Sequence, residues 1–110
     1  MKKCGKCPAC PYVKEGKKVK TKNANWNLTK QFNCLTQNVV YIIQCQKDRC
    51  INGDTFIYIG ETEKQIEVRI RQHIGYVRNR VLSQATGAHF NSPGHTVSDM
   101  KYSVLEQSKI

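Results

Sequence analysis

The sequence predicts an α+β fold: a small three-stranded, largely antiparallel sheet flanked by helices, preceded by a Cys/Lys-rich segment that zinc would stabilise. Three observations predict it. The β-branched and aromatic run Val39-Val40-Tyr41-Ile42-Ile43 reads as a buried strand. A second run, Thr55-Phe56-Ile57-Tyr58-Ile59, follows the turn signal Asn52-Gly53-Asp54 and ends at Gly60, so the pair reads as a hairpin with an enlarged loop. Ile66, Ile70, Ile74, Val77 and Val81 then recur at intervals of four, four, three and four, one apolar stripe of a helix.

Each element has its own signals. Residues 1–36 hold a tight Cys-x2-Cys-x2-Cys run and then Lys14, Lys17, Lys18, Lys20, Lys22 and Lys30, with too few apolar residues for a core of their own. Residues 37–110 hold nearly all the patterning. Thr62 with Gln65 three positions on reads as a capping box, and Glu63 suits the positive end of a helix running from about 63 to about 82. Arg69, His73, Tyr76 and Arg80 follow the same spacing on a line beside the apolar stripe. Ser92-Pro93-Gly94 breaks the chain, and Met100-Lys101-Tyr102-Ser103-Val104 alternates as a half-buried third strand does.

Charge and cysteine content narrow the function classes. Eighteen Lys+Arg against eight Asp+Glu give the 110 residues a net charge of +10, which favours polyanions, nucleic acid first. No apolar run approaches the ~20 residues a membrane span needs, so no membrane role is expected. Six cysteines, at positions 4, 7, 10, 34, 45 and 50, would suit three disulfides in a secreted peptide. The Met-Lys-Lys start leads into Cys4 instead of an apolar signal stretch, so metal binding is the expectation.

Val39-Val40-Tyr41, then Tyr58-Ile59-Gly60-Glu61-Thr62 and a helix with Arg69 and His73, resemble the GIY-YIG nuclease family over residues 38 to about 106. Within it the chain looks most like the endonuclease domain of Penelope-like retroelements. Asn38 to Cys45, Tyr58 to Thr62, and Ala88-His89-Phe90-Asn91 with Gly94-His95 carry that likeness, and Cys7-Pro8-Ala9-Cys10-Pro11-Tyr12 with Cys34 extend it. The first tripeptide departs from Gly-Ile-Tyr, so only its tyrosine carries over. The resemblance also places a metal-binding glutamate on a helix after the third strand. That residue is expected beyond Ile110, with Glu106 as a weak substitute.

The resemblance implies DNA nicking by water attack on a phosphodiester, assisted by Mg2+ or Mn2+. Such chemistry needs a base and positive charge on the phosphoryl oxygens. Tyr41 resembles the family's base, although a phenol with pKa near 10 needs cations to ionise it, and a strand aromatic is its other reading. Tyr58 would position water or phosphate. Arg69 would clamp the phosphate through its planar fork, and His73 one turn later would touch the same phosphate or assist proton transfer. Either would otherwise be an ordinary helix residue.

Cys45-x4-Cys50 and His89-x5-His95 match the spacing of tetrahedral Cys2His2 zinc, closed through tertiary structure. Cys4, Cys7 and Cys10 with Cys34 would form a second, all-cysteine zinc site that orders the lysine-rich segment. Lys17, Lys18, Lys20, Lys22, Arg71 and Arg80 are the candidates for phosphate-backbone contact. The expected function is therefore the endonuclease of a mobile element. Its partner is DNA, its setting a longer polyprotein with a reverse transcriptase, and its location intracellular, nuclear in a eukaryotic retroelement. A zinc-stabilised nucleic-acid-binding module without catalysis is the alternative.

Overall fold

Five of the seven residues of Val39–Cys45 are buried, too many for a strand with one wet face, and the chain covers this strand on both sides. The computed structural model describes residues 1–28, 30–47 and 56–108. Among them the elements are β1 (Lys18–Lys20), β2 (Asn25–Asn27), β3 (Val39–Cys45), β4 (Ile57–Thr62), α1 (Ile66–Arg78), α2 (Ala85–Phe90) and β5 (Met100–Gln107). β1 and β2 form a separate hairpin, and the main sheet has the antiparallel order β4-β3-β5. The α+β class and the three-stranded sheet are as the patterning predicts; the hairpin is an addition. The Asn52-Gly53-Asp54 turn, Thr55 and Cys50 lie outside the described residues.

Register decides which side chains meet. Tyr41 pairs with Gly60 and Ile43 with Tyr58 on one side, and Ile43 with Tyr102 on the other. Alternation therefore puts Tyr41, Ile43, Tyr58 and Tyr102 on one face. That face receives Ile66, Ile70, Ile74 and Val77, all buried, each stabilising by about 1.5–3 kcal/mol on removal from water. Off the opposite face, Gln44 donates from Nε2 to the carbonyl of Lys20 at 3.0 Å, which fixes the hairpin there. Val19, facing Trp26 across that hairpin, is buried, as are Tyr12, Val13, Leu28 and Phe32. The first segment thus joins the same apolar cluster as the sheet, and Val13 bridges Tyr102 in parallel at the β5 margin.

The helix is shorter than its periodicity implies. Thr62 belongs to β4, and its hydroxyl accepts the N–H of Lys64, so the expected Thr62/Gln65 capping box does not form. The first amides of α1 instead donate to distant carbonyls, Ile66 to Thr36 at 2.8 Å and Glu67 to Cys34 at 2.9 Å. A capping box does form at Thr96 and Asp99. At the other end Arg80 has φ of +53°, which ends the helix and leaves Val81 outside it. Asn91 takes over there, donating from Nδ2 to the carbonyls of Val77 at 2.8 Å and Gly87 at 2.7 Å.

Candidate active site and metal centres

Position 41 in the central strand, and positions 69 and 73 one turn apart on the helix above it, bring two polar groups to the oxygen of a third. Arg69 Nε donates to Tyr41 Oη at 3.0 Å, and His73 Nε2 lies 2.9 Å from the same oxygen. His73 Nδ1 is 2.9 Å from Thr86 Oγ1, so the ring is held at both nitrogens. Tyr58 and Tyr76 pack edge-on to that ring, with centroids 5.0 and 5.8 Å away, and Tyr58 lies 6.2 Å from Tyr41. Tyr41, Tyr58, Arg69 and His73 therefore share one site. Gly60 is required by close approach alone: a Cβ there would stand 2.7 Å from Tyr41 Oη.

The site is nearly dry. Tyr41 is 0% exposed and His73 2%. Burial pushes the Tyr41 phenol up to about 12, against the pull of the Arg69 guanidinium. Burial, assisted by Arg69, holds the His73 imidazole down to about 4. At neutral pH both are uncharged. The Tyr41 oxygen accepts from Arg69, and the neutral imidazole offers one N–H and one lone pair to be shared between Tyr41 and Thr86. The part-buried Arg69 links this interior to solvent, and its other nitrogen donates to Gln72 Oε1. A groove lined by Thr62, Glu63, Lys64, Val68, Arg69 and Gln72 opens beside it.

Other predicted residues fall elsewhere. His73 is buried and does not share an exposed line with Arg80, which has left the helix and donates to Asn91 Oδ1 at 3.2 Å. Arg71 is exposed and paired with Glu67 at 3.1 Å, beside Cys4 and Cys7. Glu106 is exposed and pairs with Val40 across the β-bulge, one register position from Tyr41. Lys17, Lys18, Lys20 and Lys22 are exposed on and around β1, where Val19 alone points inward. Thr86 and Gly60 have roles that sequence reasoning missed. A Thr in Ala-Thr-Gly carries no periodic signal, although the Tyr41–Gly60 apposition follows from strand register.

Among the described residues two groups could hold a metal ion: Cys4, Cys7, Cys10 and Cys34; and Cys45, His89 and His95. In the first, Cys4–Cys10, Cys7–Cys10 and Cys10–Cys34 sulfurs are 3.5, 3.4 and 3.7 Å apart. These approach the ~3.8 Å edge of a tetrahedron with metal–sulfur bonds of about 2.3 Å. Cys4, Cys7, Cys10 and Cys34 are in no disulfide. Two amides already point at sulfur, Cys4 N–H to Cys34 at 3.4 Å and Gly5 N–H to Cys10 at 3.3 Å. Burial raises the Cys7 and Cys34 thiols; it also raises that of Cys10, but the Cys7 amide, the neighbouring thiols and the Gly5 amide bring Cys10 down to about 6, so Cys10 is the first thiolate of the cluster. Among the described residues the buried Tyr102 hydroxyl has no nitrogen or oxygen partner, and the Cys34 sulfur beside it would accept its O–H as a metal-bound thiolate. The donor set fits a thiolate-bound cation.

The second group joins Cys45 at the end of β3 to His89 in α2 and His95 in the segment after it. His89 and His95 ring centroids are 4.5 Å apart, and Phe56 stacks on His89 at 4.3 Å. Pro93 O lies 3.2 Å from His95 Nδ1, which favours a proton there and a lone pair on Nε2. The fourth expected ligand, Cys50, lies outside the described residues. One sulfur and two imidazoles also suit a cation. A family model described as the GIY-YIG catalytic domain matches residues 37–106, which include Tyr41, Tyr58, Arg69, His73 and the Cys/His group. No curated protein and no solved structure matches the chain.

Proposed function

The chain belongs to the GIY-YIG catalytic-domain family, and from that premise we propose that it is a DNA endonuclease that nicks by activated water. One observation carries the reading: Tyr41 Oη is held between Arg69 Nε at 3.0 Å and His73 Nε2 at 2.9 Å. A phosphate arriving in the groove beside Arg69 pairs with the guanidinium's Nη side while Nε–H stays on the Tyr41 oxygen and favours its ionised form. Tyr41, as phenolate, accepts the proton of a water whose oxygen attacks phosphorus; the bond from phosphorus to the sugar oxygen breaks, and that oxygen takes a proton from solvent to leave as a hydroxyl. His73 Nε2 is the neighbouring acceptor for the phenol's own proton. Neutralising Arg69 with phosphate also removes a positive charge that holds His73 down.

Family members use divalent metals, and we propose dependence on Mg2+ or Mn2+ here. The described residues place neither of the two donor groups at Tyr41, and Glu106 pairs with Val40 instead of Tyr41 across the sheet. Zn2+ is proposed for both cysteine-containing groups, on the softness of thiolate and imidazole donors. We further propose, on the motif likeness, a mobile-element origin beside a reverse transcriptase, with action inside the cell, and in the nucleus for a eukaryotic element. A second reading, a zinc-stabilised nucleic-acid-binding module, is favoured by the full burial of Tyr41. Plasmid nicking separates the two. The wild type should nick with Mg2+ or Mn2+, and Tyr41→Phe and Arg69→Ala should lose about 10²–10⁴ in rate. Nicking that survives both substitutions sinks the mechanism, and a wild type that binds DNA without cutting under either ion favours the module.

A further inference from the structure

We propose that Thr86 is a positioning residue that sets the tautomer of His73 and so keeps Nε2 able to accept the proton of Tyr41. The inference deepens the endonuclease reading and rests on it for its rate arm only. Thr86 and His73 are 1% and 2% exposed, and Thr86 Oγ1 lies 2.9 Å from Nδ1. A neutral imidazole has one N–H. Held at Nδ1 by Thr86, that proton leaves the lone pair on Nε2, opposite the Tyr41 hydroxyl at 2.9 Å. The reverse tautomer would aim a second N–H at an oxygen that already accepts from Arg69 Nε, and Tyr41 would have no acceptor on His73.

The hydroxyl is held in place independently of this bond. A Cβ on Gly87 would lie 2.1 Å from the Val81 carbonyl oxygen and 3.0 Å from that of Tyr76, so only glycine lets α2 seat on the end of α1. Asn91 ties the same two helices together through the Val77 and Gly87 carbonyls. Around the ring stand Tyr41 from β3, Tyr58 from β4, Arg69 and Tyr76 from α1 and Thr86 from α2. None of these is a carboxylate.

Nitrogen-detected NMR of the imidazole reads the tautomer without reference to activity. The wild type should show His73 protonated at Nδ1 and unprotonated at Nε2; Thr86→Val, of equal shape, should reverse this; Thr86→Ser should restore it. In nicking assays Thr86→Val should lower kcat about 100-fold with KM for DNA unchanged, and Thr86→Ser should recover most of it. Wild-type protonation at Nε2 overturns the proposal, as does a Thr86→Val protein with unchanged tautomer and kcat. Should Thr86→Val fail to fold, the wild-type spectrum and Thr86→Ser decide it. Failure of the wild type to cut any DNA bears on the endonuclease reading, while the spectra still test the tautomer.

Discussion

Gly60 stands directly across the ladder from Tyr41, so close that a methyl group on it would lie 2.7 Å from the phenolic oxygen and 2.9 Å from Cε1 of Tyr58. The backbone of β4 is one wall of the phenol's cavity. Gly60→Ala should displace both rings at a cost of about 1–3 kcal/mol, set against a small gain in chain stiffness. Urea unfolding should show that loss, and nicking should fall further than the fraction unfolded explains. An activity loss matching the stability loss would assign Gly60 to packing alone.

The two hydrogen-bonded rings of the Tyr41 site give opposite pH signatures. His73 is held down to about 4 against an ordinary 6.5, so the unfolded chain binds its proton first as pH falls. Stability from this group is complete above about 6.5 and is lost as pH falls to about 4, on the order of 3 kcal/mol in all. Imidazole NMR should show His73 neutral at pH 5, where an exposed histidine is charged. Tyr41, pushed up to about 12, should make nicking rise with pH into the alkaline range, and Tyr41→Phe should flatten that limb.

Losing either metal centre should be costly, in different places. Cys10→Ser should loosen the first 36 residues and the start of α1, because Cys34 in that cluster also receives the Glu67 amide. His95→Ala should loosen the link between β3 and the segment after α2. Each should lower the thermal midpoint and remove about one bound ion per chain by metal analysis, with several kcal/mol at stake. An unchanged metal content in both variants would refute the assignment.

DNA affinity should depend steeply on salt. Lys18 and Lys20 point outward from β1 around the inward Val19, with Lys17 and Lys22 beside them. Replacing these four by Gln should flatten the log–log salt dependence by up to about 0.9 for each phosphate that is no longer neutralised. An unchanged slope would move the electrostatic footprint to the face carrying Arg69.

What the sequence discloses about this molecule is what local pattern controls. β3 was legible because a β-branched run needs two covered faces, and the middle of α1 because Ile66, Ile70, Ile74 and Val77 share a stripe. The meeting of Tyr41, Tyr58, Arg69 and His73 followed from the motif order. The ends of α1 were not legible, since its N-terminal partners lie at Cys34 and Thr36 and its C-terminal one at Asn91. The β1–β2 hairpin hid behind one apolar pair, Val19 and Trp26, in a run of lysines. The burial of His73 was missed because a histidine on a helical line gives no sign of which neighbour will cover it.

The carbonyls of Cys34 and Thr36, where the helix bearing Arg69 and His73 anchors its first amides, precede the matched span that begins at residue 37. The region of family likeness and the shared apolar cluster therefore have different boundaries. A fragment trimmed to 37–106 would release two helix amides and strip Tyr12, Val13, Val19, Leu28 and Phe32 from the shared apolar cluster. Such a fragment would keep every aromatic and basic group of the Tyr41 site yet lose the scaffold that aims them. For this chain, the cysteine-rich beginning is a structural part of the nuclease fold.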